Sequence, residues 1–395
     1  MTTSELYSLK ENCCGCSMCA SECPAGIISM VSDEEGFLYP QIENEAKCIH
    51  CSKCISVCPL KKEKAEDSSF EKFYAGSINI KEDLTSCSSG GIATDIARGF
   101  VRKGGVVYGA SYSSDWKTVE YIRCDSLELV ERLKTSKYSQ AEKKDIFRAL
   151  HIDLQNEIRC LFIGLPCDVA AVANRFNKYA NLYTIELICH GPTSNKVNSE
   201  YCTYLEQRYG SEIDYFSTRY KKKGKWKPFF ISAHFKNGKT FLHTFHESEY
   251  GAAFRYLKRP SCYSCPIKGA ALKGDMMLGD YHYVEKGMKG YNPHGVSSVL
   301  LHNKRGEFLL GLCENSTLIE IDAKGALANR AIFKPIEAPK DRKKFQHIFV
   351  TEGIIKAGRL AFVKRSNTQR MLKSYALGVG VKVKRMIMPS TRPHI

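Results

Sequence analysis

Apolar runs and amphipathic segments alternate along the chain from about residue 70 onward. Continuous apolar runs predict buried strands, as in a parallel sheet covered on both faces, at residues 73–77, 106–112, 159–164 and 182–188. Helical periodicity separates these runs, at residues 92–103, 145–155, 168–176 and 195–209. Ser88 or Ser89 is the expected N-cap of the first of these helices. This β-α-β-α order predicts an α/β body.

Residues 213–246 have a different pattern, in which two strand-like segments flank Asn237-Gly238. That dipeptide is typical of a hairpin turn, so we expect an antiparallel β insertion in the body. Further strands are predicted at residues 275–281, 297–302 and 318–321, with a helix at 307–313. From residue 340 the chain is basic and helical in pattern, and its end, residues 379–388, is expected to pack on the body or to contact a membrane surface.

The first 60 residues contain the same cysteine pattern twice, each time as three cysteines two residues apart and a fourth followed by proline. This is the spacing of bacterial ferredoxins with two 4Fe-4S clusters, in which the fourth cysteine ligates the other cluster. One predicted ligand set is Cys13, Cys16, Cys19 and Cys58. The other is Cys48, Cys51, Cys54 and Cys23, which leaves Cys14 as a spare. A zinc site usually takes its ligands from two separated Cys-x2-Cys pairs. A disulfide framework needs an oxidising compartment, and no signal peptide is recognisable.

Composition and charge limit the possible location and partners. Eighteen cysteines, the absence of a charged-then-apolar N-terminus and the lack of an 18-residue apolar run predict a reducing cytoplasmic location without a transmembrane segment. The formal net charge of +16 favours acidic partners: a ferredoxin or flavodoxin, a phosphorylated substrate or a membrane surface. Nucleic acid is the less favoured partner because no binding motif accompanies the charge.

Four more cysteines occupy positions suited to ligands. Cys167 and Cys189 follow two predicted strands, where open α/β sheets bind ligands, and Cys262 and Cys265 form a Cys-x2-Cys pair before a proline. Together they could hold a third 4Fe-4S cluster. The alternatives are two buried core cysteines or a partial zinc site.

The residues of two polar stretches in the body do not by themselves determine a function. Residues 88–91, Ser-Ser-Gly-Gly before a helix, could cradle an anion or a cofactor on free backbone amides, or could be an ordinary capped loop. Residues 133–140 read as a solvated turn. The chain has no G-x-G-x-x-G dinucleotide motif.

The body resembles the coenzyme F420 hydrogenase/dehydrogenase beta-subunit family, here behind a fused two-cluster ferredoxin module. The resemblance is carried by short motifs in a fixed order: Ser88-Ser89-Gly90-Gly91, Ser136-Lys137-Tyr138-Ser139-Gln140, Gly164-Leu165-Pro166-Cys167, Cys189-His190-Gly191, Cys262-x2-Cys265, Gly279-Asp280 and Gly295-Val296-Ser297-Ser298. The chain departs from the family at Asp168, where glutamine is usual, and at residues 266–269, where an acidic, aromatic stretch is usual. These departures concern the substrate side of the site.

The resemblance implies an FAD-binding α/β domain with a 4Fe-4S cluster beside the flavin. It implies that the flavin is lined by Ser89, Gly90, Gly91, Ser136, Lys137, Tyr138 and Gln140. Lys137 is the expected charge near the flavin ring. The expected fold is an α+β ferredoxin-like dicluster module at residues 1–66, a linker around residues 61–69, an α/β flavin-binding body with regions at 70–150 and 151–340, and a basic, mainly helical tail at 341–395.

The predicted function is that of an iron–sulfur flavoprotein oxidoreductase. One-electron carriers would exchange electrons with the clusters, and FAD would exchange a hydride equivalent with a small organic substrate, F420-like or another. No catalytic residue is assigned, and His190 and Asp280 are candidate proton donors that could equally be structural. The alternative functions are a non-catalytic subunit that relays electrons to a partner enzyme and a nucleic-acid binder.

Overall fold

The computed structural model describes residues 2–61, 69–269 and 272–363. The N-terminal module has one antiparallel pair of strands, β1 (Ile28–Ser32) and β2 (Leu38–Ile42). Its short helices are α1 (Thr3–Leu6), α2 (Met18–Ser21) and α3 (Lys53–Ser56). Each of α2 and α3 begins inside one of the two cysteine repeats, so the module has the ferredoxin-like architecture that the spacing predicted.

An eight-stranded mixed sheet forms the centre of the body. Its strands are β3 (Lys72–Ile78), β4 (Val106–Tyr112), β5 (Val119–Cys124), β6 (Cys160–Gly164), β7 (Leu182–Leu187), β11 (Met276–Asp280), β12 (Ser297–Leu301) and β13 (Ser316–Glu320). The order across the sheet is β13-β3-β12-β11-β7-β6-β4-β5. The four strands β11, β7, β6 and β4 pair in parallel, whereas β5, β12 and β13 pair antiparallel with their neighbours. The expectation of a parallel sheet therefore holds only at the centre.

Helices cover both faces of this sheet. They are α4 (Lys81–Ser86), α5 (Ile92–Arg102), α6 (Leu127–Glu131), α7 (Ile146–Gln155), α8 (Pro166–Phe176), α11 (Lys304–Leu310) and α12 (Ala323–Ala326). On one face, α5 and the chain after α11 enclose a core that includes Ile96, Phe100 and Leu312. On the other face, α7 and α8 share a core with Cys14, Cys16, Met18 and Val57 of the module. The module therefore packs directly on the body.

The antiparallel insertion contains three strands rather than a two-stranded hairpin: β8 (Ile213–Tyr220), β9 (Phe230–Phe235) and β10 (Thr240–Thr244). The predicted Asn237-Gly238 turn joins β9 and β10, and Gly238 has a positive φ of 79°. The insertion shares a core with α9 (Asn195–Tyr209), α10 (Glu249–Tyr256) and α13 (Arg342–Val363), which is interrupted at Gly353. Most of the predicted linker, and residues 379–388, lie outside the described residues.

The carboxyl ends of the central strands meet at one edge of the sheet. Strands β6, β7 and β11 end there because they are parallel, and β12 begins there because it is antiparallel to β11. The motif residues at the ends of these strands therefore face one region.

The N-cap of α5 differs from the prediction. It is Gly91, with φ of 85°, rather than Ser88 or Ser89. A side chain at Gly91 would lie 2.9 Å from Ile78 Cγ2, so close packing on β3 as well as the positive φ requires glycine here.

Among the described helices, none combines the length and the apolar character that a membrane crossing requires.

Candidate iron–sulfur and cofactor sites

The two predicted cysteine quartets of the module line two separate cavities. The first cavity is bordered by Cys13, Cys16, Cys19 and Cys58, with Cys14, Gly15 and apolar Leu6, Met30 and Pro40, and Cys54 of the other quartet borders it as well. The second is bordered by Cys23, Cys48, Cys51 and Cys54, with Ile27, Ile28 and Ile42. The fourth cysteine of each repeat is thus placed with the first three of the other, as the spacing predicted. Cluster ligation by these cysteines stays a prediction.

Local backbone conformation shapes each half of the module. In the first repeat Gly15 and Ser17 have positive φ, of 68° and 65°. In the second repeat His50 and Ser52 take the same conformation, with φ of 53° and 55°. Left-handed residues between the cysteines turn the chain sharply. The repeats therefore build the same turn from different residues.

Among the described residues, the group of three or more candidate ligands whose atoms lie within 4.8 Å of one another is acidic: Asp33, Glu34 and Glu35. Those carboxylates accept salt bridges from Lys10 and Arg342. The three carboxylates are therefore already paired with cations.

A third cavity collects the four remaining candidate ligands. It is bordered by Cys167, Cys189, Cys262 and Cys265, and by apolar Leu165, Pro166, Pro192 and Ile267. Burial, with the thiolates of Cys189, Cys167 and Cys265, raises the pKa of Cys262. Four thiolates in such an apolar place need a cationic partner, and soft thiolates suit iron–sulfur centres.

The sheet edge positions this third cavity. Cys167 lies in the first turn of α8, directly after β6, and Cys189 follows β7, which is the parallel neighbour of β6. Cys262 ends a short 3-10 turn, Pro260–Cys262, that follows α10. A side chain at Gly191 would lie 3.1 Å from Cys262 Cβ, and Gly191 has φ of 83°. Gly191 therefore lets the Cys262 segment approach the end of β7.

Cys14, the spare cysteine of the sequence, borders both the first and the third cavities. The amide of Gln140 donates from Nε2 to the Cys14 carbonyl oxygen at 2.7 Å. Cys14 thus lies where the module meets the body, and the cysteine spacing carried no signal of this position.

The predicted flavin residues of the Ser-Ser-Gly-Gly loop are packed against the sheet. Ser89 Oγ donates to the Val296 carbonyl oxygen at 2.8 Å, and the Gly90 amide donates to Ser297 Oγ at 3.0 Å. A side chain at Gly90 would lie 2.2 Å from the Gly76 carbonyl oxygen. Gly90 is therefore required by close packing on β3 and β12, and its place in a flavin site stays a prediction.

The predicted flavin residues from the second motif separate in the structure. The Ser136 amide donates to Ser88 Oγ at 2.6 Å, which joins the two motifs. The Lys137 amine donates to three preceding carbonyl oxygens, of Arg132, Leu133 and Lys134. Burial lowers the pKa of Lys137 to about 7. This geometry gives Lys137 a helix-capping role after α6 and offers no support for the predicted charge near a flavin ring.

Tyr138 and Gln140 lie in two different places. Tyr138 OH accepts a hydrogen bond from Arg219 Nη1 at 3.0 Å, and its ring packs on Phe245 and Phe254. Gln140 instead borders the third cysteine cavity. Tyr138 and Gln140 therefore have different surroundings, and flavin binding by the seven residues stays a prediction.

Arg219 joins the motifs at the sheet edge and was absent from the sequence prediction. Its guanidinium donates twice to Asp280 Oδ2, at 3.0 Å each, and once to the Ser88 carbonyl oxygen at 3.1 Å. In the described part of the chain, Arg219 Nε, Asp280 Oδ1 and Ser298 Oγ are buried without a hydrogen-bond partner. Arg219 comes from the insertion strand β8, so no motif of the sequence pointed to it.

The two candidate proton donors lie on different sides of this region. His190 borders the third cysteine cavity, and burial together with Lys268 and Lys258 lowers its pKa to about 4. Asp280 is paired with Arg219, and its Oδ2 lies 3.5 Å from His282 Nε2. Their roles in proton transfer stay predictions.

Comparison with known proteins fits this division of the chain. Residues 158–325 match the family model for the C terminus of the coenzyme F420 hydrogenase/dehydrogenase beta subunit. Residues 12–62 match the 4Fe-4S dicluster domain. No curated protein matches the chain.

Among solved structures, a chain from the xenon-derivatised F420-reducing nickel–iron hydrogenase complex of Methanosarcina barkeri is similar to this one. The identity is 15%, the match covers 76% of this chain and 93% of that chain, and the TM-score is 0.44. The resemblance inferred from the motifs is confirmed by the two family models. The chain is an iron–sulfur redox protein in which a 4Fe-4S dicluster domain precedes a region related to the C terminus of the coenzyme F420 hydrogenase/dehydrogenase beta subunit.

Proposed function

We propose that this chain is an oxidoreductase that exchanges electrons between a one-electron carrier, three 4Fe-4S clusters and FAD, and a hydride equivalent with an organic substrate. The observation that carries the proposal is the third cysteine cavity, which lies beside the dicluster module and shares Cys14 with it. A pure dicluster ferredoxin has no use for a further sulfur-lined cavity in an attached body.

The donor set of the third cavity fits a 4Fe-4S cluster. Cys167, Cys189, Cys262 and Cys265 would hold it, since four cysteines is the usual ligand number for a cubane. The lining combines apolar residues with the cationic side chains of Arg259 and Lys268, and the Lys268 amine donates to the Cys189 carbonyl oxygen. Solvent exposure and nearby charge are two of the means by which a protein sets the potential of such a centre.

The residues that best fit FAD are those around Arg219. The unpartnered Arg219 Nε and Ser298 Oγ are candidate donors, and Asp280 Oδ1 is a candidate acceptor. An unsatisfied buried polar atom costs about 1–3 kcal/mol, which a bound polar group would recover. Of the residues that the family resemblance implies, Ser136 is connected to Arg219 through Ser88, Tyr138 contacts it directly, and Ser89 is the residue after Ser88. Lys137 and Gln140 have other partners.

When bound, FAD supplies the step between one-electron and two-electron chemistry. The role of the protein is to hold the third cysteine cavity and the residues around Arg219 at the same edge of the sheet. Arg219 holds Asp280 in a fixed position, and Lys221 donates to the carbonyl oxygens of Leu84 and Ser89, which fixes the loop before α5. The formal net charge of +16 counts the cysteines as neutral, and three clusters on twelve thiolates would lower it to about +10, which still favours an acidic one-electron carrier.

Metal and flavin analysis of protein purified without oxygen tests the proposal. We expect about twelve iron atoms, no zinc and one FAD per chain. About eight iron atoms without flavin would overturn the proposal and favour a ferredoxin-like relay to a partner enzyme. A zinc atom in place of the third set of four iron atoms would overturn the assignment of the third cavity.

Turnover by the isolated chain separates the enzyme from a relay subunit. Protein that contains twelve iron atoms and FAD is expected to reduce or oxidise a carrier with NAD(P)H, ferredoxin or F420 as the other reactant, without an added subunit. Fully loaded protein that is inactive alone and gains activity only with a co-purified subunit would contradict the enzyme assignment.

A further inference from the structure

Arg259 is a fully buried arginine between the dicluster module and the third cysteine cavity, with 1% of its surface exposed. Its Nε donates to the Cys13 carbonyl oxygen at 2.8 Å, and its Nη2 donates to the Leu38 carbonyl oxygen at 2.9 Å. Its Nη1 donates to Gln140 Oε1 at 3.0 Å. The guanidinium therefore uses its fixed fork of donors to tie two segments of the module to the body.

Arg259 also contacts a predicted cluster ligand directly. Its Nη2 lies 3.6 Å from Cys13 Sγ, within the range of an N–H···S hydrogen bond. The ionisable groups that act most strongly on it are Cys13, Tyr39, Cys14 and Cys262, and no carboxylate is among them. An isolated buried charge is costly, so the anionic sulfur sites on either side are the natural counter-charge of this arginine.

The two cysteine repeats differ at the residues that meet Arg259. A side chain at Gly15 would lie 2.5 Å from Arg259 Nη1, so glycine between Cys13 and Cys16 makes room for the guanidinium. The equivalent residue of the second repeat is His50, which is exposed. The cysteine-bearing turns of the two module cavities thus have similar backbone conformations. The Arg259 guanidinium lies against the turn of the first cavity.

Arg259 also borders the third cavity, and its carbonyl oxygen accepts a hydrogen bond from the Cys262 amide at 2.9 Å. Arg259 thus lies just before Cys262, a predicted ligand of the third cluster. Its guanidinium contacts Cys13, a predicted ligand of the first cluster. This places a fixed positive charge on the path between the two cavities.

We propose that Arg259 is a positioning residue that raises the reduction potential of the cluster held by Cys13, Cys16, Cys19 and Cys58, and so makes that cluster the exchange point between module and body. The physical reason is that reduction adds one negative charge, which a buried guanidinium and an N–H···S hydrogen bond stabilise. In the second quartet Cys51 is exposed, so water screens charges around that site more strongly. The inference deepens the proposed function and rests on its iron–sulfur part alone.

A redox titration followed by electron paramagnetic resonance tests the proposal on the full chain. The signals of the two module clusters are assigned by their loss in Cys58→Ser and Cys51→Ser. In Arg259→Met the midpoint potential of the cluster held by Cys13, Cys16, Cys19 and Cys58 is expected to become more negative, while that of the second module cluster stays unchanged. Arg259→Lys keeps the positive charge but loses the forked set of guanidinium donors, so a smaller negative shift of the first midpoint potential is expected.

Arg342→Gln is the matched control, because Arg342 also joins module and body, but its guanidinium donates to the Glu35 carboxylate and the Lys258 carbonyl oxygen. It is expected to leave both midpoints unchanged. An unchanged first-site midpoint in Arg259→Met with full iron content would overturn the inference, as would an equal shift in Arg342→Gln. If Arg259→Met does not accumulate, an unshifted midpoint in Arg259→Lys overturns it.

These outcomes are distinct from failure of the proposed function. That failure appears in the unmodified protein, as missing iron or missing flavin. The Arg259 experiment measures only the midpoint potentials of the two module clusters, so it can be carried out on protein that contains no FAD.

Discussion

The dicluster module and the third cysteine cavity place their cysteines in the same kind of apolar space but are built in different ways. In the module, three ligands of each quartet lie within seven residues, and left-handed residues such as Ser17 and Ser52 set the turn between them. In the body, Cys167 and Cys189 come together because β6 and β7 are parallel neighbours, and Cys262 reaches them from the separate segment after α10. One site is local, and the other depends on the sheet.

This contrast indicates where each site is vulnerable. A local turn keeps most of its geometry when distant contacts are weakened, because its own backbone conformation fixes it. A site at a sheet edge depends on the strands below it and on the close approach of the Cys262 segment to Gly191. We therefore expect changes in the body to affect the third cavity before they affect the module.

The largest effect is expected when one predicted ligand of the third cysteine cavity is removed. Cys262→Ser is expected to lower the iron content by about four atoms per chain and to leave about eight in the module, because the remaining three cysteines cannot complete a cubane. Iron analysis after anaerobic purification measures it. Cys313→Ser, a change of the same type outside the three cavities, is the control and should keep all twelve.

A fall to about four iron atoms in Cys262→Ser would mean that one module cluster is lost together with the third cluster. Unchanged iron content would remove Cys262 from the ligand set.

Buried Glu186, in the strand that leads to Cys189, makes the body sensitive to pH. Burial raises the pKa of Glu186 from 4.5 to about 7, although the amides of Lys273 and Gly274 donate to its carboxyl group. Because the folded-state pKa is the higher one, the carboxyl group stabilises the fold fully below pH 4.5, and this contribution is lost as the pH rises to about 7. The loss corresponds to about 3 kcal/mol of unfolding free energy.

Glu186→Gln should abolish that pH dependence, since the amide oxygen can accept the same two backbone hydrogen bonds without titrating. The measurement is the thermal unfolding midpoint between pH 5.5 and 8.5, with the wild-type chain falling as the pH rises and the variant nearly flat. Glu43→Gln, an exposed glutamate of the module, is the control and should retain the wild-type slope. An equal slope in both variants would show that Glu186 does not govern the dependence.

The smallest expected effect comes from two glycine-to-alanine changes, which distinguish the strain of a positive φ from a steric contact with Cys262. Gly191→Ala and Gly26→Ala each place alanine at positive φ, 83° and 62°, which costs about 1–2 kcal/mol. Only at Gly191 would the added methyl group press on Cys262, whereas nothing lies within 4 Å at Gly26. Both variants are expected to lose similar thermal stability, and only Gly191→Ala should bind less iron at the third site. Equal iron content in the two variants would contradict the role of this contact.

The cysteine spacing and the apolar runs were enough to predict much of this protein. The pairing of Cys23 with the second quartet and of Cys58 with the first follows from the spacing, and both are placed accordingly. Strand β4 was predicted with its observed bounds, and β6 and β7 within one residue at each end, since continuous apolar runs are a local property. The positions of Cys167 and Cys189 at strand ends were likewise predictable.

The way these parts meet depends on tertiary packing. The sheet is mixed because β12 and β13 return antiparallel, a choice of pairing that apolar runs do not encode. Lys137 caps a helix and Gln140 reaches Cys14, although both belong to one short motif, because neighbours in sequence point in different directions. Arg259 reaches Cys13 across 246 residues of sequence. Such contacts depend on how distant segments pack, so residue spacing along the chain carries no signal of them.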